Sequence, residues 1–348
     1  MDPTATRTIG RTDLAVTQLG FGGASIGELF HKVPEEDAIG AIRAAWDHGV
    51  RYFDTAPWYG RGLSELRTGA GLRDRPRDEF TLSTKVGRWL RPNASAGWTS
   101  APWLGGLRND VVFDYSYDGI LRSWEQSRQR LGVPRYDIAV IHDLDHLYHG
   151  TGQKLDGYFV QLATSGWRAL TELKCAGEIR AIAAGINDRG LIPRFLDLVD
   201  VDAFLIAMPY TLLRQDILED EMAAAVARGC TFIIGAPFQS GILATGSAAP
   251  ANCDYAPPTA DIIDRVRRIE AVCARHRVPL AAAALQFPLG HPQVSSVIPG
   301  ARTAAHVARN DATFRHPVPG DLWAELKQEG LLHPEAPVPA GEAAPIAT

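Results

Sequence analysis

The stretch RYFDTAPWYG, residues 51–60, decides the fold of this chain. It begins with a short β-rich run that ends near Asp54, and it continues as a turn that contains Tyr59. Similar β-rich runs recur along the chain, and helical patterns separate most of them. The eight predicted strands are 17–22, 51–55, 81–86, 136–142, 179–187, 203–209, 231–237 and 294–300. Because alternating strands and helices form parallel sheets and eight such units close into a ring, the sequence predicts an α/β fold, a (β/α)8 TIM barrel.

The predicted barrel takes up nearly the whole chain. We expect a single domain over residues 1–332 and, because residues 333–348 are rich in proline and alanine without periodicity, a flexible C-terminal tail. The opening RTIGRTDLAV predicts a hairpin that turns at Gly10 and caps the bottom of the barrel. The segments 86–116 and 236–258 are long for βα loops, so we expect them to line a substrate site at the C-terminal face.

Composition and charge exclude several classes of protein. The net charge of −5 comes without a basic stripe, which argues against nucleic-acid binding. No apolar run reaches the roughly 18 residues that a membrane span needs, and the N-terminus does not resemble a secretion signal. The cysteines form no CxxC pair and are expected as reduced thiols; they are Cys175, Cys230, Cys253 and Cys273. We therefore predict a cytoplasmic protein, a monomer or small homo-oligomer, that acts on a small-molecule substrate and binds neither nucleic acid nor membrane.

Four polar side chains are predicted to meet at the C-terminal ends of the strands, where such barrels have their active sites. Asp54, Lys85 and His142 each end a mostly apolar strand, and Tyr59 lies in a loop that can fold back over the opening. A neighbouring ammonium lowers the pKa of a phenol, which is ~10 in water, and a carboxylate keeps that ammonium charged. An imidazole can hold and polarise a substrate oxygen. Together the four groups could pass a proton to or from an alcohol, hemiacetal or carbonyl.

The stretch VIHDLDHLYHG, residues 140–150, admits two interpretations. Its histidines and aspartates could ligate a metal in a lyase or hydrolase barrel, but the loop has no helical spacing that would aim three or four ligands together. We therefore expect one catalytic histidine, His142, followed by a polar loop without a metal, in which Asp143 touches the substrate or braces His142. A Schiff-base role for Lys85 is the corresponding alternative, and the nearby Asp54 and Tyr59 argue against it.

The motifs FDTAPWYG, STK (83–85), IH (141–142), GIN (185–187) and IPGART (298–303) together resemble the aldo-keto reductase superfamily, and the resemblance runs from about residue 8 to about residue 312. It implies a (β/α)8 barrel with a bound nicotinamide cofactor. It also implies that Asp54, Tyr59, Lys85 and His142 form the catalytic tetrad, with Tyr59 as general acid and base.

The same resemblance implies a set of cofactor contacts. Asn187 matches the asparagine that holds the nicotinamide carboxamide, Tyr210 matches the tyrosine that stacks under the ring, and Ala207 stands where the family usually has a glutamine. The full expected set is Gly22, Asp54, Asn187, Tyr210, Ser240, Gly241, Leu243, Gly300, Arg302 and Asn310. Relatives that prefer NADP carry a lysine and an arginine at the positions of Gly300 and His306, so we expect NAD, with NADP possible through Arg302.

The stretches RYFDTAPWYG, MPYTLL (208–213) and PFQSGILATG (237–246) resemble the branch of the superfamily that oxidises small aldoses or pyridoxal. The main hypothesis is therefore an NAD(P)-dependent dehydrogenase that oxidises the hemiacetal carbon of an L-fucose or D-threo-aldose type sugar to a lactone. Pyridoxal oxidation to 4-pyridoxolactone is the alternative, and a nicotinamide-binding regulatory barrel that senses redox state is a further one. The expected substrate contacts are Trp58, Trp89, His142 and Asp143.

Overall fold

Eight parallel strands form a ring in the computed structural model, which describes residues 1–249 and 251–340. In chain order the strands are β1 (Thr6–Thr8), β2 (Ala15–Thr17), β3 (Phe21–Gly22), β4 (Tyr52–Asp54), β5 (Thr81–Val86), β6 (Arg88–Pro92), β7 (Asn109–Phe113), β8 (Ile138–Ile141), β9 (Ala181–Ile186), β10 (Ala203–Ala207), β11 (Thr231–Gly235) and β12 (Val294–Ile298). The ring runs β3, β4, β5, β8, β9, β10, β11, β12. Parallel bridges from Leu19 to Val297 and from Gly22 to Gly300 join its two ends. The predicted (β/α)8 barrel is confirmed.

Helices surround the ring and bury its outer face. In chain order they are α1 (Glu35–Asp47), α2 (Leu63–Leu72), α3 (Tyr117–Leu131), α4 (His146–His149), α5 (Gln153–Gln161), α6 (Trp167–Cys175), α7 (Ile192–Leu198), α8 (Ala223–Ala227), α9 (Ile242–Thr245), α10 (Ala260–Arg275), α11 (Leu280–Gln286), α12 (Ala304–Arg315) and α13 (Gly320–Gln328). The longer helices pack inwards through an apolar face. In α1 this face includes Ala41, Ile42 and Ala45, which recur at helical spacing and are buried. None of the helices in the described part of the chain combines the length and hydropathy needed to cross a bilayer.

A second, smaller core fills the inside of the ring. Its members come from alternate positions of the strands, among them Ile138 and Val140 of β8 and Ala181 and Ala183 of β9. The hairpin β1–β2 closes the bottom of this core, as the sequence predicts. It does so with three apolar side chains, Ile9, Leu14 and Val16. Gly10 turns the hairpin at a φ of 51°, and a Cβ there would lie 2.2 Å from the carbonyl oxygen of Asp202.

Both long segments lie at the C-terminal end of the ring. Within 86–116, β6 and β7 form an antiparallel hairpin, and within 236–258 the chain forms the short helix α9. The start of the expected tail lies against the barrel, where Ala336 is buried and Val338 crosses directly beside Gly290. The boundary at residue 332 stays a prediction, and residues 341–348 lie outside the described part of the chain.

Gly69 and Gly40 test how tightly the helices pack. A Cβ on Gly69 of α2 would lie 2.1 Å from the carbonyl oxygen of Leu131, whereas a Cβ on Gly40 of α1 would meet no atom within 4 Å. We expect Gly69→Ala to lower the free energy of unfolding by about 1–3 kcal/mol through overpacking. Gly40→Ala should raise it by about 0.5–1 kcal/mol because alanine loses less backbone entropy in a helix. Urea titration of both variants measures the difference, and equal effects would contradict the close approach of α2 and α3.

Candidate active site

The C-terminal rim of the ring is divided into a polar half and a half made of small residues. Side chains two positions apart on a strand face the same way. Asp54 therefore faces inwards like Tyr52, and His142 like Val140. Asn187 continues the inward series of Ala181 and Ala183. On the other half of the rim the corresponding inward positions carry Ala207, Gly235, Gly300 and Gly22. The polar half supplies chemistry, and the small residues leave space beside it.

The ammonium of Lys85 and the carboxylate of Asp54 form a buried ion pair at the base of the site. Lys85 Nζ donates to both oxygens of Asp54, at 2.6 and 2.7 Å, and to the carbonyl oxygen of Thr55 at 2.9 Å. Ser83 Oγ donates to Asp54 Oδ1 at 2.6 Å. The side chains are 1% and 2% exposed. The pair is therefore held in one geometry by hydrogen bonds that offset part of the cost of burying two charges.

Tyr59 lies above this ion pair. Lys85 Nζ is 5.4 Å from the centre of the Tyr59 ring, and the ring of His142 lies edge-on to it at 6.0 Å. The structure therefore brings the four predicted catalytic side chains together. Withdrawal of the phenol from water, followed by the charge of Asp54, raises the pKa of Tyr59 well above its ordinary value. The sequence predicted a lowered pKa, but the ammonium is engaged by Asp54 and does not outweigh burial.

The surroundings of His142 favour the neutral imidazole. Burial, followed by the charges of Arg88 and Lys85, holds the pKa of His142 well below its ordinary value. Among the described residues its Nδ1 has no hydrogen-bond partner. A neutral imidazole keeps one N–H donor, so it can donate a hydrogen bond to a substrate oxygen without bringing a second cation next to Lys85.

Aromatic side chains wall the space in front of Tyr59. Trp103 lies 5.8 Å from the ring of Tyr59 and 5.6 Å from that of Trp58, and Tyr148 packs on the other edge of Trp58 at 6.5 Å. Arg61 holds the loop that carries Trp103, because its guanidinium donates to the carbonyl oxygens of Ala101, at 3.1 Å, and of Asn109, at 2.9 Å. The expected contact residue Trp58 therefore lies at the site.

A groove with a volume of about 450 Å³ runs from Asp54 and Tyr59 across the small-residue half of the rim. Seven of the ten expected cofactor contacts line it: Gly22, Asp54, Ser240, Gly241, Gly300, Arg302 and Asn310. His306 and Arg309, on α12, also line it. Burial, followed by the charges of Arg302 and Arg309, lowers the pKa of His306. The shape, the two guanidinium groups and the N-terminus of α12 fit the phosphates of a nicotinamide dinucleotide.

Three expected cofactor contacts lie outside this groove. Tyr210 is fully buried and packs on Phe287 at 5.5 Å, and Leu243 of α9 is fully buried in the core. Residues that follow a strand can turn inwards or outwards, and the turn after β10 directs Tyr210 into the helical layer. Asn187 is half-buried at the end of β9 and donates its amide hydrogens to Asp143 and Asp145.

One expected substrate contact, Trp89, packs against another side chain of the protein. The guanidinium carbon of Arg122 lies 4.5 Å from the centre of the Trp89 ring.

The polar loop after His142 has structural partners. Asp145 accepts from the backbone N–H of Tyr148 at 3.2 Å and caps α4, and His149 Nε2 lies 3.2 Å from the hydroxyl of Tyr115. Burial lowers the pKa of His149 to about 4. In the part of the chain that the structure describes, no group of three or more histidine, cysteine, aspartate or glutamate side chains is placed to hold a metal ion.

Sequence reasoning missed Arg88 and Arg309. Arg88 follows β5 and is 1% exposed, with its guanidinium paired to Asp143 and 4.2 Å from the ring of Tyr148. Nothing in the segment KVGRWL marks Arg88 as buried, because arginine in a loop is usually exposed. Arg309 lies one turn after His306 on α12, and helical spacing from Arg302 and His306 was the signal that could have identified it.

Comparison with known proteins shows the family of this chain. The model of the aldo/keto reductase family matches residues 18–329. The chain is 40% identical to pyridoxal 4-dehydrogenase of Microbacterium luteolum over 336 residues, and the alignment covers 94% of this chain and 97% of that protein. Over 330 residues it is 36% identical to D-threo-aldose 1-dehydrogenase of a Pseudomonas species, with coverage of 92% and 95%.

Solved structures agree with the fold. Glycerol dehydrogenase from Gluconobacter oxydans superposes with a TM-score of 0.72 at 19% identity, over 99% of this chain and 100% of that one. The holo form of an aldo-keto reductase from Bacillus halodurans superposes with a TM-score of 0.71 at 23% identity, over 93% and 96%. Because the family model matches most of its length, and the motifs and the four side chains at the rim agree with that match, this chain belongs to the aldo/keto reductase family.

Proposed function

We propose that the protein is an NAD(P)-dependent dehydrogenase that oxidises the hemiacetal carbon of a small cyclic substrate to a lactone. The observation that carries this proposal is the buried Lys85–Asp54 pair beneath Tyr59, at the end of a groove that fits a nicotinamide dinucleotide. The match to the aldo/keto reductase family supports an oxidoreductase, and the relatives at 40% and 36% identity are both dehydrogenases.

The four side chains divide the work of moving one proton. The phenolate of Tyr59 removes the proton from the hydroxyl of the hemiacetal carbon, while the N–H of His142 holds the same oxygen. Lys85, kept charged by Asp54, stabilises the phenolate that forms. A bound oxidised nicotinamide would accept the hydride that leaves the carbon. The carbon then forms the C=O of the lactone, and in the reverse direction Tyr59 returns the proton.

Two substrates follow from the relatives. Pyridoxal is favoured by the higher identity, 40%, and by the aromatic wall of Trp58, Trp103 and Tyr148, which suits a planar ring. A small aldose of the L-fucose type is favoured by the 36% identical relative. Both substrates are oxidised at a ring carbon that bears a hydroxyl, so the same tetrad serves either.

NAD is the proposed cofactor. The sequence offered one cation, Arg302, for a 2′-phosphate, and the structure adds Arg309. Gly300 and His306 stand where relatives that prefer NADP carry two cations that attract a 2′-phosphate. Burial, followed by the charges of Arg302 and Arg309, lowers the pKa of His306 and so disfavours a positive charge there. Arg302 and Arg309 line the same end of the groove and leave NADP as the second candidate. Cytoplasmic location and a monomeric or small homo-oligomeric state remain proposals from the sequence.

Tyr59→Phe removes the proton carrier and leaves the groove intact. We expect kcat to fall by roughly 10²–10⁴-fold, with the Kd of the nicotinamide cofactor within about threefold of wild type. Steady-state kinetics and calorimetric titration of the cofactor measure the two effects. Tyr117→Phe, which removes an exposed hydroxyl that donates to Glu172, is the matched control and should leave kcat unchanged. An active Tyr59→Phe enzyme would refute the role of Tyr59.

The raised pKa of Tyr59 fixes the sign of the pH dependence. Oxidation needs the phenolate, which is the minor form at pH 7, and the phenolate fraction increases about tenfold per pH unit below the pKa. We therefore expect kcat/KM for oxidation to rise with pH from 7 towards 10. Reduction of the lactone or aldehyde uses the phenol and should stay flat over that range. An oxidation rate independent of pH would contradict the proposed base.

A substrate panel separates the candidate functions. Absorbance at the nicotinamide band should increase with pyridoxal or with L-fucose, and kcat/KM should be higher with NAD than with NADP. A larger kcat/KM for L-fucose than for pyridoxal would reverse the order of the two substrates. Binding of NAD without turnover of any aldose, alcohol or aldehyde would instead support a regulatory nicotinamide-binding barrel.

A further inference from the structure

The carboxylate of Asp143 contacts three side chains of the site at once. Its Oδ2 is paired with the guanidinium of Arg88 and lies 3.3 Å from Nε2 of His142. Its Oδ1 accepts a hydrogen bond from Nδ2 of Asn187 at 2.9 Å. Asp143 therefore joins the imidazole on the substrate side of the rim to the amide that ends β9.

Arg88 anchors this carboxylate. The guanidinium is 1% exposed and lies 4.2 Å from the ring of Tyr148 and 4.5 Å from that of Phe113. A cation buried against aromatic faces needs a counter-charge, because removing one partner of a buried pair leaves the other uncompensated. Asp143 has a φ of 46°, a left-handed conformation that a non-glycine residue keeps only where surrounding contacts impose it.

Asn187 has one polar atom left for a ligand. Its two amide hydrogens are donated to Asp143 Oδ1, at 2.9 Å, and to Asp145 Oδ2, at 2.6 Å. Its carbonyl oxygen is therefore the remaining group. Asn187 follows Ile186, which pairs with Ile206, so Asn187 lies beside Ala207 on the neighbouring strand, and Ala207 lines the groove. Asn187 thus follows β9 beside Ala207, a groove residue whose side chain offers no polar group of its own.

We propose that Asp143 is a positioning residue that fixes His142 as its Nε2–H tautomer on the substrate side and orients the amide of Asn187 on the cofactor side. A carboxylate near one ring nitrogen favours the proton on that nitrogen, so Asp143 selects the Nε2–H tautomer. Because the contact with Oδ2 is long, at 3.3 Å, the same N–H can also be donated to the substrate oxygen. This assignment rests on the proposed dehydrogenase function. The sequence allowed Asp143 either to touch the substrate or to brace His142, and the proposal takes the second, because both oxygens of Asp143 have partners within the protein.

Asp143→Asn tests the assignment by removing the charge with little change of shape. We expect kcat to fall roughly 10- to 100-fold through the displaced imidazole. We expect the Kd of oxidised nicotinamide dinucleotide, measured by calorimetry, to rise about tenfold through the released amide. The KM of the substrate should change less than threefold. A rise in substrate KM with kcat and cofactor Kd unchanged would overturn the proposal in favour of direct substrate contact.

Two further carboxylates give matched comparisons. Asp145→Asn alters the contact with Asn187 and the cap of α4, where Asp145 accepts from the backbone N–H of Tyr148. It should raise the cofactor Kd while lowering kcat at saturating cofactor less than Asp143→Asn does. Asp202→Asn removes a buried carboxylate that pairs with Lys174 at the bottom of the barrel, at 2.6 Å, and should reduce stability without changing either constant. If Asp143→Asn and Asp202→Asn gave the same kinetic constants, Asp143 would be structural only, and the proposal would be wrong.

The double variant Arg88→Met/Asp143→Asn controls for misfolding of Asp143→Asn. It removes both members of the buried pair, so no uncompensated charge remains. We expect it to fold and to show the same losses of kcat and cofactor affinity as Asp143→Asn. Wild-type constants in the double variant would overturn the proposal.

A spectroscopic measurement separates this inference from the proposed function. Nitrogen-15 shifts of labelled histidine in the free protein should show His142 as the Nε2–H tautomer in wild type and a mixture of tautomers in Asp143→Asn. An unchanged tautomer would overturn the positioning role even in an active dehydrogenase. A wild-type protein without turnover would refute the proposed function, while the tautomer shift would still show that Asp143 positions His142.

Discussion

The buried ion pair between Lys85 and Asp54 is the interaction on which the site depends. Taking two charges out of water costs several kcal/mol per ion, and the short contacts to both Asp54 oxygens, together with Ser83 and Thr55, offset that cost only in one geometry. That geometry requires β4 and β5 to pair in the observed register, with Asp54 opposite Ser83. A slip of one residue would turn every inward side chain outwards, so barrel and site are specified together.

The division of the rim gives the barrel both reactivity and space. Polar side chains at the ends of β4, β5, β8 and β9 surround one point, while alanine and glycine at the ends of β10, β11 and β12 and on β3 leave the groove open. The groove leaves little room for larger side chains at Gly300, since a Cβ there would lie 2.2 Å from Ser25 Oγ. A dinucleotide-sized ligand and a buried proton carrier can therefore lie side by side within one ring of eight strands.

Much of this arrangement could be predicted, and the parts that could not share one property. The strands, the hairpin cap and the convergence of Asp54, Lys85 and His142 follow from alternation within regular strands. Tyr210 lies in the turn after β10, and Leu243 lies in the four-residue helix α9 within a long loop. Neither segment is long enough for a period to fix the direction of a side chain, and both residues are buried away from the groove. Arg88 was missed because its burial depends on Asp143 and Tyr148, which come from a segment more than fifty positions away.

The amino-acid sequence by itself determined the eight strands and the convergence of Asp54, Lys85 and His142, because those depend on local periodicity and on the rule that parallel strands end at the same face. The family and the place of Tyr59 followed from the resemblance of the motifs. Only the tertiary structure decided what surrounds these side chains. Burial raised the pKa of Tyr59 despite the nearby ammonium, and Arg88 and Asn187 took up both oxygens of Asp143. The physical reason is that desolvation and hydrogen bonding depend on which groups exclude water from a site, and the segments that do so are distant along the chain.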